Sequence, residues 1–295
     1  SDYFRQHSNV LTTIQTGESW IILSSFENQI KQKIENIGTP LKNWNININR
    51  GILTGYNEAF IINKEIKDEL VQKSSKNAEI IRPILRGRDI KKYKATFCDT
   101  WLINSHNGNK TQGIDRVNVP DVYPAIFEHF DKYKSELETR QDKGEHWTNL
   151  RNCAYLNDFE KEKIIWIELT DKPNFFLDRS KYYINNTVFF MVGERLKYLV
   201  GFLNTRICEW YFRTIASTSG VGTRRWIKIY VEDICVPKDI PSQLEQNIEN
   251  LVDIIQDLKS QQKVTEHLEL EIEEIFMKLF NLTNDERNII RQISL

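Results

Sequence analysis

Residues 50–62 read RGILTGYNEAFII. Two glycines stand four positions apart in an apolar, β-branched run, in a chain with only 12 glycines in 295 residues. Glycine inside a strand loses more backbone freedom on folding than any other residue and offers nothing to pack. The pair therefore implies a turn that needs positive φ, or a close approach of another backbone. Upstream, WNINI (residues 44–48) alternates with the period of a half-buried strand. Downstream, AFII reads as its partner, so the segment is expected to be strand, glycine turn, strand. Arg50, Tyr56 and Asn57 flank the turn and are its candidate ligand contacts.

Working outward, residues 25–37 carry Phe26, Ile30, Ile34 and Ile37 at helical spacing, with Gly38 as the expected C-cap. TWLI, KIIWIEL, NFFLD and the run YYINNTVFFMV supply further strands. Residues 123–140 and 195–215 read as helices, the first with Ile126, Phe127, Phe130, Tyr133 and Leu137 on one face. Strands mixed with helices give an α/β (α+β) expectation built on a mixed sheet.

The character changes after Pro237. Residues 242–281 contain neither Gly nor Pro and repeat apolar residues at helical spacing. They predict one helix of about 40 residues, or a hairpin bent near Ser260, docked by its apolar stripe. Ser242 and Glu245 have capping-box spacing, as do Thr283 and Glu286 before a short last helix. The expected division is 1–236 for the body and 237–295 for the helical region.

The formal net charge of −1 hides an asymmetry. Residues 241–295 hold 11 acidic and 5 basic residues, a net of −6, which leaves +5 on residues 1–240. The positive part suits a polyanion, although charge runs also occur as plain solvated surface. No apolar run approaches the roughly 20 residues of a membrane span. The four cysteines are scattered and read as reduced thiols, so a cytoplasmic protein is expected. The chain starts at Ser1 and is expected to be part of something longer.

Enzyme signatures are missing. The five histidines lack metal-ligand spacing, and no nucleophile elbow, phosphate loop or dinucleotide fingerprint occurs. Asp158, Glu160, Glu162 and Lys163 sit beside IIWIEL in an arrangement that imitates a metal-dependent nuclease, but solvated charges at a strand end explain them as well. No catalytic, cofactor-binding or metal-binding residue is assigned.

Basic clusters are the remaining signal. RPILRGRDIKKYK (82–94) holds Arg82, Arg86, Arg88, Lys91, Lys92 and Lys94 against Asp89 alone, with Tyr93 placed to stack on a base. A second cluster is Arg140, Lys143, His146, Trp147 and Arg151, with Trp147 as packing support. A third follows the small residues of STSGVG at Thr223, Arg224 and Arg225. Arginine forks suit phosphates and guanine edges. With so small an excess of charge, the three clusters are expected to share one face.

WNININRGILTGYNEAFII, EIIRPILRGRDIKKY and WLIN together resemble the C-terminal specificity domain of TaqI-like DNA adenine methyltransferases, also found in single-chain type II restriction–modification enzymes. The similarity continues through YPAIFEHFDKYKSELETRQDKG, KIIW and FLNTRICEWYF, and closes with LELEIEEIFMKLFNLTNDER. It implies a target-recognition domain that reads a short duplex DNA sequence for an N-terminal N6-adenine methyltransferase domain outside this chain. That domain would bind S-adenosylmethionine, and an endonuclease domain, if there is one, Mg2+. The rival expectation is a protein–protein interaction module whose basic loops are incidental.

Overall fold

In the computed structural model, residues 23–216 and 224–292 are described. The centre of the molecule is a four-stranded antiparallel sheet. Its strands lie in the order Phe175–Asp178, Lys163–Ile167, Val188–Gly193 and Ile46–Arg50. Successive side chains of a strand face opposite sides. Accordingly Ile48, Ile164, Trp166, Phe175, Leu177, Phe189 and Met191 enter one core, while Ile165, Val188, Phe190 and Val192 enter another. IIWI (164–167) and VFFMV (188–192) are apolar at every position because both faces are covered.

The first core is closed by helices Ser25–Ile37, Leu196–Leu203 and Arg206–Ile215 together with the C-terminal helices. The second lies against a mixed sheet ordered Tyr183–Ile184, Ile81–Leu85, Thr100–Ile103 and Ile61–Asn63, whose first pair is parallel. Helices Lys64–Lys73, Pro124–Asp131 and Lys134–Thr139 complete that lobe. The α/β expectation with a mixed sheet holds. No helix among the described residues is long and apolar enough to cross a membrane.

The strand–turn–strand expectation for residues 44–62 is corrected. Ile46–Arg50 pairs with Val188–Gly193 in the central sheet, whereas Ile61–Asn63 pairs with Thr100–Ile103 in the other. The glycines carry the chain between the sheets, and each serves one of the two needs. At Gly51 a Cβ would lie 2.1 Å from the Asn185 carbonyl oxygen, and the next amide, of Ile52, donates to Ile184 O at 2.7 Å. Gly55 has φ +70°, in the left-handed region. The run YYINNTVFFMV is likewise two strands. Tyr183–Ile184 and Val188–Gly193 belong to different sheets and are joined by Asn185, Asn186 and Thr187.

Helix Ser25–Ile37 forms with a Ser24–Glu27 capping box, but Gly38 is extended at φ −83° and runs straight into a strand. The 123–140 helix is broken into Pro124–Asp131 and Lys134–Thr139. The 195–215 helix breaks at Asn204 and Thr205. There the Asn204 amide donates to Val200 O and Phe175 O, and Thr205 caps the second helix through Cys208 N.

Of the two forms expected for residues 242–281, the structure shows the hairpin, Ser242–Ser260 against Glu266–Leu279. Ile248, Leu251, Val252, Ile255, Ile272 and Phe276 are buried in the first core, where Gly201 leaves room for Ile248, Val252 and Ile272. The Ser242 box does not form, because Pro241 is the N-cap and Glu245 instead holds Arg195 at 2.6 and 2.9 Å. The Thr283–Glu286 box does form. The nuclease-like charges dissolve into structure. Lys163 and Asp178 make a fully buried pair at 2.8 Å, Glu160 accepts from the Tyr183 hydroxyl, and Asp158 accepts from Asn49 and Lys161. No cluster of three metal-ligating side chains occurs among the described residues.

Candidate nucleic-acid interface

Where the two sheets exchange strands, the surface opens into a cleft of about 940 Å³. Arg86, Gly87 and Arg88 form one wall, Asn185 and Thr187 the junction, and Ile167, Glu168, Leu169 and Arg225 the other wall. Each part has a local cause. Arg86–Asp89 is a tight turn in which the Asp89 carboxylate accepts from Arg86 N at 2.8 Å and Arg86 Nε at 3.2 Å. The buried Gly87 suits this packing, since a Cβ there would press on Thr187 Oγ1 and Ile167 at 3.2 and 3.3 Å. Thr187 Oγ1 in turn donates to Asn185 Oδ1 at 2.7 Å. The opposite wall is a two-stranded ribbon, Leu169–Thr170 against Arg224–Arg225, with Arg225 directly opposite Leu169.

Glu168 organises the charges. Its side chain is 12% exposed, and its two oxygens accept from Arg50 Nη2 and Arg225 Nη2, each at 2.6 Å. The hydrogen bond and charge of Glu168 hold the Arg225 cation above its ordinary pKa. Arg50 is fixed again by a bond from Nε to Asn186 O at 2.8 Å, and its guanidinium lies 5.6 Å from the Phe189 ring. Yet the Arg50 and Arg225 side chains remain 50% and 55% exposed, and Arg88 is 71% exposed. Four arginines against two carboxylates, Glu168 and Asp89, leave the cleft with a net positive charge.

A second depression, of about 450 Å³, adjoins it through Arg50 and is lined also by Asn104, His106, Arg151 and Tyr155. Burial and the nearby Arg82 push the His106 pKa down, so His106 adds no positive charge at neutral pH. Arg151 is paired with Asp142 at 3.0 Å.

The structure thus brings Arg50, Arg86, Arg88 and Arg225 together, with Arg151 alongside. Other candidates go elsewhere. Arg140 is buried, its guanidinium donating to the carbonyls of Thr54, Trp147 and Asn149. It is a loop staple, and its removal from the surface corrects the expected contact. Tyr93 is 1% exposed and donates to Gly201 O, so it stacks on no base. Lys92 pairs with Glu269 of the C-terminal hairpin at 2.6 Å. Lys91 is exposed and Lys94 half-buried on the small hairpin Ile90–Lys91/Lys94–Ala95. Lys143 donates to Glu138 O, and Asn57 accepts from the Thr54 hydroxyl. Tyr56 packs 5.8 Å from Tyr133. None of these lines either depression. Trp147 packs on Phe127, as a supporting residue should. Arg224 is half-buried beside Arg225, with Nε unpartnered among the described residues. Thr223 lies outside the described residues. Of the three clusters, Arg86, Arg88 and Arg225 share the cleft and Arg151 lines the depression beside it, whereas Arg140 and Lys92 are engaged elsewhere. Glu168, Leu169, Asn185 and Thr187 were not singled out by sequence, since each reads as an ordinary strand or turn residue until the fold surrounds it with arginines.

A family profile described as the TaqI-like C-terminal specificity domain matches residues 82–236, just over half of the chain and both walls of the cleft. The chain belongs to this family. No curated protein matches it. Among solved structures, the chain is similar to the type IIL restriction–modification enzyme MmeI, solved in complex with DNA, at a TM-score of 0.60 and 7% identity. It is also similar to the type IIG restriction endonuclease BpuSI, at 0.52 and 15%. Both alignments cover 87% of this chain but only 36% and 33% of those proteins, so the TaqI-like chain spans about a third of their length. At such identities the likeness is one of fold.

Proposed function

We propose that this TaqI-like specificity domain binds duplex DNA in the cleft between Arg86–Arg88 and Arg225 and reads a short target sequence there. The observation that carries the reading is the convergence of Arg86, Arg88 and Arg225, from distant segments, on one open cleft, with Arg50 joined to its wall through Glu168. We further propose that it presents this DNA to an N6-adenine methyltransferase domain of the same cytoplasmic protein, and itself catalyses nothing. S-adenosylmethionine, and Mg2+ for any cleavage, are assigned to other domains. Glu168, the carboxylate lining the cleft, already accepts from two arginines and gets no metal role.

Phosphate contacts release counterions, about −0.9 in the slope of log K against log salt for each. Titrating duplex DNA at several salt concentrations should give steep salt dependence, and Arg88→Ala should lower the slope by about one contact. Arg88 is so exposed that its loss leaves the fold intact. An unchanged slope would take Arg88 out of the interface. Absence of any salt-dependent binding by the wild-type chain would favour the protein-interaction reading instead.

A further inference from the structure

Leu169 is 55% exposed, among the few large apolar side chains left in solvent, and it stands inside the arginine-lined cleft. Packing does not explain it, since an isolated exposed leucine on a two-residue strand supports no core. Its ladder partner is Arg225, and residues directly opposite in an antiparallel pair present their side chains side by side. The Arg225 guanidinium is held from behind by Glu168 alone among the described residues, through one nitrogen. Among the described residues its remaining donors have no hydrogen-bond partner and can form a fork toward the cleft.

We propose that the ribbon Leu169–Thr170/Arg224–Arg225 is a base-reading head for the major groove. In it Arg225 reads a guanine edge, Leu169 reads the methyl group of an adjacent thymine, and Glu168 is a positioning residue that aims the arginine. This rests on the DNA-binding reading above and adds to it which residues select sequence and what they select. Three features agree. The major groove admits a two-stranded ribbon. Arginine matches guanine O6 and N7 in a bidentate pair, and an apolar side chain matches only the thymine methyl among groove-edge groups. A guanidinium pinned by a carboxylate approaches a base with less freedom to lose than a mobile one. Arg86 and Arg88, on the opposite wall, then serve as phosphate anchors that set register without reading bases.

The test is selection of bound duplexes from a randomised pool by the wild-type chain, followed by measured affinities. The selected site should contain guanine next to thymine. Replacing that thymine by deoxyuridine, which removes only the methyl group, should weaken wild-type binding several-fold. Leu169→Ala should bind thymine and deoxyuridine sites equally while keeping its salt-dependent binding. Glu168→Gln should relax the guanine preference by roughly tenfold, the scale of one bidentate contact, with less effect on non-cognate DNA. Leu169 is exposed, so the fold of its variant is not at stake.

A Leu169→Ala chain that selects the same site and still prefers thymine to deoxyuridine would overturn the inference and leave DNA binding standing. Equal loss of cognate and non-cognate affinity would assign Leu169 to wedging between base steps and overturn methyl reading. A wild-type chain that binds no DNA removes both the inference and the reading it rests on.

Discussion

Arg140 and Arg225 both belong to basic clusters that stand out in the sequence, yet the molecule uses them in opposite ways. Arg140 is 8% exposed, lies 4.4 Å over the Phe60 ring and distributes its donors among three backbone carbonyls. Burial pushes its pKa down to about 10, which still leaves it charged at neutral pH. Arg225 is half exposed and shares one carboxylate with Arg50. A guanidinium that satisfies buried carbonyls stabilises loops and has nothing left for a ligand. One pinned by a single carboxylate at the surface is oriented and still free to bind. Partner type and exposure, more than charge density, separate structural from functional arginines here.

The largest effect should come from removing the structural arginine. Arg140→Ala leaves three carbonyls without their donor, and hydrogen bonds to a charged group contribute about 1.5–3 kcal/mol each, not additively. A loss of about 3 kcal/mol or more is expected, read from the urea midpoint at unchanged slope. Arg140→Lys should recover little of it, because a point ammonium cannot span carbonyls from residues 54, 147 and 149 as a planar fork does. Near-wild-type stability of Arg140→Ala would break the comparison at its buried end.

An intermediate effect concerns Lys92, a cation of the 82–94 segment occupied by the C-terminal hairpin. Burial disfavours a charged Glu269, but Lys92, Lys259 and the Thr265 hydroxyl outweigh it and hold the carboxyl at about 2. A carboxyl depressed in the folded state stabilises above its ordinary value of 4.5 and loses that contribution as pH falls toward 2. The stability gap between wild type and Glu269→Gln should thus be constant from pH 5 to 8 and close between about 4.5 and 2. Thermal unfolding across that range measures it. A gap that does not narrow in acid would mean the Lys92–Glu269 pair adds nothing, and would return Lys92 to the pool of free cations.

Much of this was legible in sequence. KIIWI, NFFLD, TWLI and VFFMV became strands because an apolar run bounded by polar turns has few other uses. The Gly51–Gly55 pair was readable as a close approach or a positive-φ turn, and the chain uses both. What failed was pairing. AFII follows WNINI closely, but hydrogen bonding across the Asn185 junction sends them to different sheets, and no local pattern encodes that choice. The same limit applied to the site. Density of cations marked 82–94, 140–151 and 223–225 alike, yet only contacts across sequence distances of 57 to 118 residues, such as Glu168 to Arg225 and Arg50, show which arginines face a shared cleft. Tyr93 between two lysines looked like a stacking platform and is core, buried with its hydroxyl donating to Gly201 O.

The smallest expected effect sharpens the comparison most. Exposed ion pairs contribute about 0–1 kcal/mol, since solvent screens them and ordering two long side chains costs entropy. Arg225→Ala should therefore change unfolding stability by no more than about 0.5 kcal/mol, with Glu168 still held by Arg50. A double-mutant cycle with Glu168→Gln should give a coupling energy below about 1 kcal/mol in the free protein. The same substitution should lower affinity for a selected DNA site well beyond its effect on non-cognate DNA. Stability and binding thus move oppositely at the two arginines: Arg140→Ala is costly to folding, Arg225→Ala to recognition alone. A stability loss of about 2 kcal/mol or more at Arg225 would make it a second staple, because only a buried or network-bound ion pair reaches that size. The cleft would then be a structural feature whose open donors have no ligand to serve.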